Sequence, residues 1–336
     1  MSSFSSRERI MAAVRGEELD RAPIALWRHF PGRDITAEGL AEAVIAFQRR
    51  HALDLVKVTS ASGYPAEAWG ARLEPDDNRE GTRRYAERPI LSAPDWHALE
   101  PLTVDAPVLA RELKALRRVR IGVGPDVHVL PTVFSPLTVA KQLAGRELML
   151  EHLRHQPAAL HAGLATVAES TARFAVACLR HGADGVFFAT QFARSDVLDD
   201  TAHAEFGEAY DRIVLEALSG TGALLLLHLC GDQPMFGLAD RYSADIVNWH
   251  DQGTPPSLAD GLAQRRAGAV LGGLDREALA RDDDDALASA VRAALAATGS
   301  RRHILGAGCV VYVHTPDRAL DAVRRAVGTA ASPPAR

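Results

Sequence analysis

Short apolar runs alternate with longer helical patterns along this chain of 336 residues, and that alternation restricts the fold more than any other feature. Eight of the runs are strand-sized, and they lie at residues 23–28, 54–59, 127–134, 185–189, 223–228, 245–249, 269–273 and 303–307. Strands that alternate with helices form parallel sheets, and eight such units predict a closed (β/α)8 barrel. We therefore expect one TIM-barrel domain over residues 1–336, with an N-terminal helix.

The helical patterns lie between the predicted strands and carry typical start signals. They cover residues 36–50, 107–118, 136–144, 157–179, 201–218, 235–242, 257–266, 276–297 and 316–327. Ser135 before Pro136, and Thr315 before its own proline, are such signals. Residues 60–104 form an insertion after the second strand, and alternation at 82–89 predicts a small hairpin within it. An open doubly wound sheet is the alternative, but no G-x-G-x-x-G motif opens any predicted helix.

Composition and charge exclude several functional classes. A net charge of −5 argues against a general nucleic-acid binder, because such proteins need a clustered excess of lysine and arginine. Three cysteines are too few for a disulfide framework, and no apolar run reaches the ~18–20 residues of a membrane span. Because the start also lacks the apolar core of a signal peptide, we expect a soluble cytoplasmic protein. We expect residues 329–336 to be a flexible tail, and the sequence leaves the oligomeric state open.

His228, Cys230 and Cys309 form the pattern with the clearest chemical meaning. His228 and Cys230 are two positions apart at the end of the fifth predicted strand, so their side chains project to the same side. Cys309 follows the eighth strand, and the C-terminal ends of barrel strands meet at one mouth. Two thiolates and an imidazole suit Zn²⁺, and three protein ligands leave a position open for substrate. Taken singly, a cysteine is more simply a small buried hydrophobe, which is what we expect of Cys178 in its apolar helix.

Motifs along nearly the whole chain resemble the uroporphyrinogen decarboxylase superfamily. They are Arg7-Glu8-Arg9-Ile10, Arg21-Ala22-Pro23-Ile24, His155-Gln156-Pro157, Gly182-Ala183-Asp184-Gly185, Phe206-Gly207-Glu208-Ala209-Tyr210 and Gly272-Gly273-Leu274-Asp275. Within that superfamily, Leu227-His228-Leu229-Cys230-Gly231 and Gly308-Cys309, with 78 residues between the two cysteines, resemble the methylcobalamin:coenzyme M methyltransferase branch. The resemblance implies a TIM barrel with a catalytic zinc on His228, Cys230 and Cys309, and transfer of a methyl or alkyl group to a small thiol. It also implies a corrinoid donor, which a partner protein would have to supply because no corrinoid-binding module is visible in the sequence.

Further residues near the predicted strand ends are candidates for the same site. Asp251, at the end of the sixth strand, is the candidate fourth zinc ligand, its neighbour His250 is the competitor, and either could instead support another ligand. The candidate substrate-binding residues lie in or near loops at the predicted mouth, and they are Arg28, His29, Arg33, Tyr64, Glu67, Gln191 and Asp251. Arg28 and His29 are candidates for binding an acid group of the substrate, although Arg28 could equally form a salt bridge at the rim.

Two charged features have simpler interpretations. Lys57 is an unusual charge within a predicted buried strand, and we expect it to form an ion pair with a carboxylate. The acidic run at residues 282–285 lacks the glycine and the spaced ligands of a calcium loop, so we expect a solvated helix face.

Two other functions stay open at this stage. One is a cofactor-free decarboxylase that uses Arg28, His29 and Arg33. True porphyrinogen decarboxylases carry an Arg-Gln-Ala-Gly-Arg loop, whereas the two arginines here are one position further apart, and Gln191 lies in a segment without the expected aspartate. The other is a barrel without catalytic activity that binds a small anion or a partner protein.

Overall fold

Eight parallel strands line the interior of the protein, close to the runs predicted from the sequence. This computed structural model describes residues 4–281 and 283–330. The barrel strands are β1 (Ile24–Ala25), β2 (Leu55–Val58), β3 (His128–Phe134), β4 (Gly185–Thr190), β5 (Leu224–Leu229), β6 (Ile246–Trp249), β7 (Ala269–Leu274) and β8 (His303–Ala307). They are hydrogen-bonded in the order β1-β8-β7-β6-β5-β4-β3-β2, with parallel ladders throughout. The predicted (β/α)8 barrel is confirmed.

Asp54 connects β1 to β2, the two neighbouring barrel strands that share no ladder. The Ile24 N–H donates to the Asp54 carboxylate at 2.9 Å, and the Asp54 N–H donates to the Ile24 carbonyl at 2.9 Å. Arg9 and Arg21 form ion pairs with the same buried carboxylate at 2.7 and 2.6 Å. A buried carboxylate with two cationic partners and a backbone donor is well satisfied, so it holds the N-terminal end of the barrel together.

Helices flank the strands in the expected alternation. They are α1 (Ser6–Arg15), α2 (Ala37–His51), α3 (Tyr64–Ala68), α4 (Pro107–Val123), α5 (Pro136–Ala144), α6 (Arg146–His155), α7 (Pro157–Arg180), α8 (Asp200–His203), α9 (Ala209–Glu216), α10 (Leu238–Arg241), α11 (Leu258–Gln264), α12 (Arg276–Arg281), α13 (Asp284–Thr298) and α14 (Asp317–Ala330). A 3-10 helix covers Ala93–Ala98, and a π-helical turn covers Ala204–Glu208. Within the described residues, no helix combines the length and the apolar character needed to cross a membrane.

Several sequence predictions of local structure were wrong in detail. The run 82–89 supplies only one strand, Arg84–Glu87, which pairs antiparallel with Arg72–Glu74 rather than folding back on itself. The helix expected at 276–297 is divided, because Asp283 caps α13 by accepting from the Ala286 N–H at 3.0 Å. Helix α6 was missed. Asp282 and residues 331–336 of the expected tail lie outside the described residues.

A strap formed by residues 76–82, within the insertion after β2, packs on loops at the barrel mouth. Glu80 pairs with Arg276 of α12 at 2.7 Å, and a carbonyl of the strap accepts the Val313 N–H at 2.9 Å. Gly81 has a φ of +74°, and a Cβ atom there would lie 2.6 Å from Val313 and 2.9 Å from Pro31. The strap therefore lies directly against the loops that follow β1, β7 and β8.

Candidate metal centre

Four potential metal ligands meet at the mouth of the barrel. His228 is on β5, Cys230 follows that strand, His250 follows β6, and Cys309 follows β8. The ligand atoms of these four side chains all lie within 4.8 Å of one another. The structure thus brings together the three residues singled out in the sequence, at the C-terminal ends of the strands, and adds a second histidine.

Backbone contacts explain how these residues come so close. The Cys230 N–H donates to the Thr190 carbonyl at 2.9 Å. This bond extends the β4–β5 pairing beyond the strand, so the side chain of Cys230 projects to the same side as that of His228. A Cβ atom on Gly308 would lie 2.6 Å from the Trp249 carbonyl oxygen and 2.8 Å from the His250 Cα. Only glycine fits in that space, so the residue before Cys309 can pass directly beside the residue after β6.

The two sulfurs and two imidazoles fit a zinc ion. A tetrahedral zinc with bonds of roughly 2.0–2.3 Å requires its ligand atoms to lie roughly 3.3–3.8 Å apart. The Cys309 Sγ lies 3.7 Å from the His228 Nε2, and the His250 Nε2 is buried without a hydrogen-bond partner among the described residues. Cysteine and histidine are the ligands that zinc prefers, and the His250 Nε2 has no other partner that would compete with a metal.

Electrostatics favour a thiolate at this centre. A hydrogen bond from the Cys230 thiol holds the pKa of Cys309 well below its usual 9.0, and His228 and His250 act in the same direction. Because Cys230 donates this hydrogen bond, its own pKa is raised, and burial raises it further. Of the two sulfurs, Cys309 is therefore the one that more readily becomes a thiolate.

Asp251, the favoured fourth ligand in the sequence analysis, lies outside this cluster. One of its oxygens, Oδ2, accepts the Gly273 N–H at 2.9 Å and the Gln252 side-chain amide at 2.7 Å, while the other has no partner among the described residues. Burial raises the pKa of its carboxyl to about 6. The structure places His250, the competitor, beside the sulfurs.

Four of the candidate substrate-binding residues are engaged elsewhere. Arg28 lies over the Phe47 ring at 5.0 Å and contacts Asp317 at 3.4 Å, so it points toward α2 and α14. Arg33 forms an exposed ion pair at 2.7 Å with Glu42. The Tyr64 hydroxyl donates to the Thr132 carbonyl at 2.9 Å, and Glu67 accepts two hydrogen bonds from Arg111 at 2.9 and 2.8 Å. Their polar groups have partners away from the cysteines, as the alternative of a salt bridge allowed for Arg28, and their role in binding substrate stays a prediction.

His29 and Gln191 do border the centre. Burial lowers the pKa of His29 to about 3, the positive charge of Lys57 lowers it further, and Cys309 opposes both. His29 is therefore a neutral imidazole within electrostatic reach of the sulfur. Gln191 accepts a hydrogen bond at 3.0 Å from Lys141, whose partly buried ammonium interacts electrostatically with Cys230.

Lys57 has surroundings different from those predicted. Its Nζ lies 4.6 Å from the centre of the Phe187 ring and 3.5 Å from the Thr59 hydroxyl, and no carboxylate of the described residues forms an ion pair with it. Burial lowers the pKa of Lys57 to about 7, while the charge of Cys309 raises it. The expected ion pair is wrong, and instead a buried amine without a carboxylate partner among the described residues interacts electrostatically with Cys309.

A cavity of about 200 Å³ opens beside the cluster. Its lining includes His250, Gln252, Leu274, Arg276, Gly308 and Tyr312. The cavity has the size for a small substrate next to the ligand atoms, and it borders the strap through the Glu80–Arg276 pair.

Two groups of known methyltransferases are similar to this chain. The methylcobamide:CoM methyltransferase MtaA of Methanosarcina barkeri (strain Fusaro / DSM 804) is 23% identical over 252 residues, which cover 69% of this chain and 71% of the relative. A second MtaA from Methanosarcina barkeri is 23% identical over 253 residues, with the same two coverages. A solved methyltransferase from Methanosarcina mazei has a TM-score of 0.81 and 19% identity, covering 98% of this chain and 100% of that one.

The fold extends to more distant proteins. A B12-independent methionine synthase from Shewanella sp. W3-18-1 has a TM-score of 0.58 and 13% identity, covering 95% of this chain and 97% of that one. At such low identities these structural matches show the shared barrel and nothing more specific. The family model for uroporphyrinogen decarboxylase (URO-D) matches residues 5–330. A match over almost the whole chain, on the fold that the family resemblance implies, shows that this protein belongs to the URO-D family.

Proposed function

We propose that this protein is a zinc-dependent transferase that moves a methyl or alkyl group to a small thiol. The observation that carries the proposal is the meeting of His228, Cys230, His250 and Cys309, with all ligand atoms within 4.8 Å, at the mouth of a URO-D-family barrel. The names of the relatives support the reaction class, since they are methyltransferases. In the described residues, Cys178 is fully buried away from this cluster and takes no part.

The roles of the chain's own residues follow from their positions. His228, Cys230 and Cys309 would hold the zinc, with His250 as the fourth protein donor that a substrate could replace. Zinc, when bound, would keep a substrate thiol as thiolate near neutral pH, where a free thiol is mostly protonated. The barrel mouth keeps the cysteines only partly exposed, so that a thiolate there is weakly solvated and more reactive.

The surroundings of Lys57 favour a thiol that also carries an acid group. Burial lowers the pKa of Lys57 to about 7, and an anion beside the amine would favour its charged form. Lys57 and the neutral imidazole of His29 both interact electrostatically with Cys309. A carboxylate or sulfonate on the substrate would satisfy Lys57 while the thiol occupies the centre.

The methyl donor is proposed to be a corrinoid supplied by a partner protein. The names of the relatives include a methylcobamide and CoM, and we extend the donor class to this chain as part of the proposal. The decarboxylase alternative has less support, because Arg28 and Arg33 are paired away from the centre. The alternative of a barrel without catalytic activity gives no reason for two cysteines and two histidines to converge.

A direct transfer assay tests the proposal. Zinc-loaded protein would be incubated with methylcobalamin and either coenzyme M or the neutral thiol 2-mercaptoethanol, and the thioether product measured by mass spectrometry. We expect zinc-dependent methylation that falls at least 100-fold in Cys309→Ser and is unchanged in Cys178→Ser. Equal rates in the two variants, or no methylation of any thiol by the wild-type protein, would contradict the proposed function.

A further inference from the structure

Asn248 makes three hydrogen bonds from a fully buried position inside the barrel. It lies on β6 directly opposite His228 of β5 in the parallel ladder. Its Oδ1 lies 2.6 Å from the His228 Nδ1, and its Nδ2 donates to the Leu271 carbonyl at 2.8 Å and to the Ala307 carbonyl at 3.1 Å. One side chain thus connects β5, β6, β7 and β8. Its contact on β8 is Ala307, two residues before Cys309.

These contacts determine which way the amide points. The Leu271 and Ala307 carbonyl oxygens can only accept hydrogen bonds, so the amide nitrogen of Asn248 must face them. The amide oxygen must then face His228. Because that oxygen has no hydrogen to donate, the hydrogen bond requires a proton on the His228 Nδ1.

The tautomer of His228 follows from this orientation. A neutral imidazole carries one proton, so a protonated Nδ1 leaves the lone pair on Nε2. That atom lies 3.7 Å from the Cys309 Sγ, on the side where the four ligand atoms meet. When His228 is neutral, these hydrogen bonds therefore direct the lone pair of its imidazole at the position where the four ligand atoms meet.

We propose that Asn248 is a positioning residue that fixes His228 as the Nδ1–H tautomer and so preorganises the centre. An imidazole that can exchange tautomers or rotate must pay for its ordering when the metal binds, whereas this one is already ordered. The consequence for metal affinity rests on the proposed function. The tautomer itself does not, because it follows from hydrogen bonds within the protein.

A matched control separates positioning from simple stabilisation. Thr298 contacts the Nδ1 of another buried histidine, His303, through its hydroxyl at 3.0 Å, at the opposite end of β8 from Cys309. Thr298→Val therefore removes a hydrogen bond from a buried imidazole without touching the centre. Asn248→Leu removes the corresponding bond at His228 with a side chain of similar size.

The first measurement is the tautomer in metal-free protein. Nitrogen-15 NMR of histidine-labelled protein at pH 8, with the signal of His228 identified by its absence in His228→Gln, should show Nδ1–H for this residue in the wild type. Asn248→Asp retains an acceptor and should retain that tautomer, while Asn248→Leu should show a mixture or Nε2–H. A wild-type His228 protonated on Nε2 would overturn the proposal without recourse to any variant.

The second measurement is zinc affinity by competition with a chromophoric chelator. We expect Asn248→Leu to bind zinc about 10- to 100-fold more weakly than the wild type, the usual effect of losing a residue that orients a metal ligand. Thr298→Val should bind zinc as tightly as the wild type, even if it unfolds at lower temperature. Equal affinities in Asn248→Leu and Thr298→Val would overturn the proposal. Failure of the proposed function would appear separately, in the transfer assay, with the tautomer of the metal-free protein unchanged.

Discussion

The Nε2 atom of His228 lies 3.7 Å from the Sγ atom of Cys309, although 81 positions of the chain separate the two residues. The barrel makes this contact possible, since it brings the ends of β5 and β8 to one mouth. The contact joins His228 and Cys309, the first and last residues of the His-Cys-Cys pattern, into one set of potential metal ligands.

Metal content is the first test. We expect about one zinc ion per chain in protein purified under reducing conditions, because the cluster offers one complete set of ligands. Cys230→Ser and Cys309→Ser should each lose the zinc, and Cys178→Ser should keep it. Elemental analysis by mass spectrometry would measure the content, and circular dichroism would confirm that each variant is folded. Stoichiometric zinc in folded Cys230→Ser would show that the ligand assignment is wrong.

Lys57→Met should change the preference among thiol substrates. The substitution removes the buried ammonium, and a hydrogen bond to a charged group contributes about 1.5–3 kcal/mol, equivalent to about 10- to 100-fold. We therefore expect kcat/KM for a thiol with an acid group to fall by that factor, while kcat/KM for 2-mercaptoethanol stays within about threefold. Lys114→Met is the matched control, because its ammonium forms an exposed pair with Glu38. A parallel loss for acidic and neutral thiols would contradict a role in recognising the acid group.

Uroporphyrinogen should not be decarboxylated. That substrate carries many carboxylates and needs cations in the site, but Arg28 and Arg33 form their contacts with Asp317 and Glu42. Gln191 also lacks the negative charge that would stabilise a protonated pyrrole ring. Chromatography of the porphyrins after oxidation would detect any product. Turnover that persists in a Cys230→Ser, Cys309→Ser double variant would favour the decarboxylase instead.

Asp211 should make the free energy of unfolding depend on pH. Burial raises the pKa of its carboxyl from 3.8 to about 7, and the charge of Glu208 raises it further, against a hydrogen bond from Tyr242. The folded protein therefore holds this proton more tightly than the unfolded chain. The stability linked to Asp211 is complete below pH 4 and is lost as the pH rises to about 7, by up to about 4 kcal/mol.

Asp211→Asn removes this ionisation and tests its size. Urea unfolding at pH 5 and pH 8 should show that the variant gains stability relative to the wild type at the higher pH. The Tyr242 hydroxyl can still donate to the amide oxygen, so the change in packing is small. If the difference between the two proteins were the same at both pH values, the carboxyl of Asp211 would not titrate as described.

The sequence predicted the strands well because each is a short apolar run between polar turns. It predicted three of the four clustered ligands because alternation along a strand is regular, so His228 and Cys230 face the same way. It could not decide between His250 and Asp251, since the backbone turns immediately after β6 and a shift of one residue reverses the direction of a side chain. The role of Arg28 stayed open for a related reason, because β1 contains only Ile24–Ala25 and alternation stops before the arginine.

Contacts between residues that are far apart in the sequence could not be predicted from local patterns. Lys57 contacts the ring of Phe187 on β4, which no local pattern connects to β2. The hydrogen bonds of Asn248 likewise end on carbonyls of β7 and β8. Every residue has a backbone carbonyl, so the sequence does not show which carbonyl will accept a given hydrogen bond.

The close packing of the strap on the barrel mouth depends on the absence of a Cβ atom at Gly81. A methyl group there would collide with Val313 and Pro31, and the left-handed backbone also disfavours any side chain. Alanine at this position would therefore push the strap away from the loops beneath it, leaving every ligand of the centre in place. The packing of the strap and the positions of the four clustered side chains thus depend on different residues, and an engineer could change the first without altering the second.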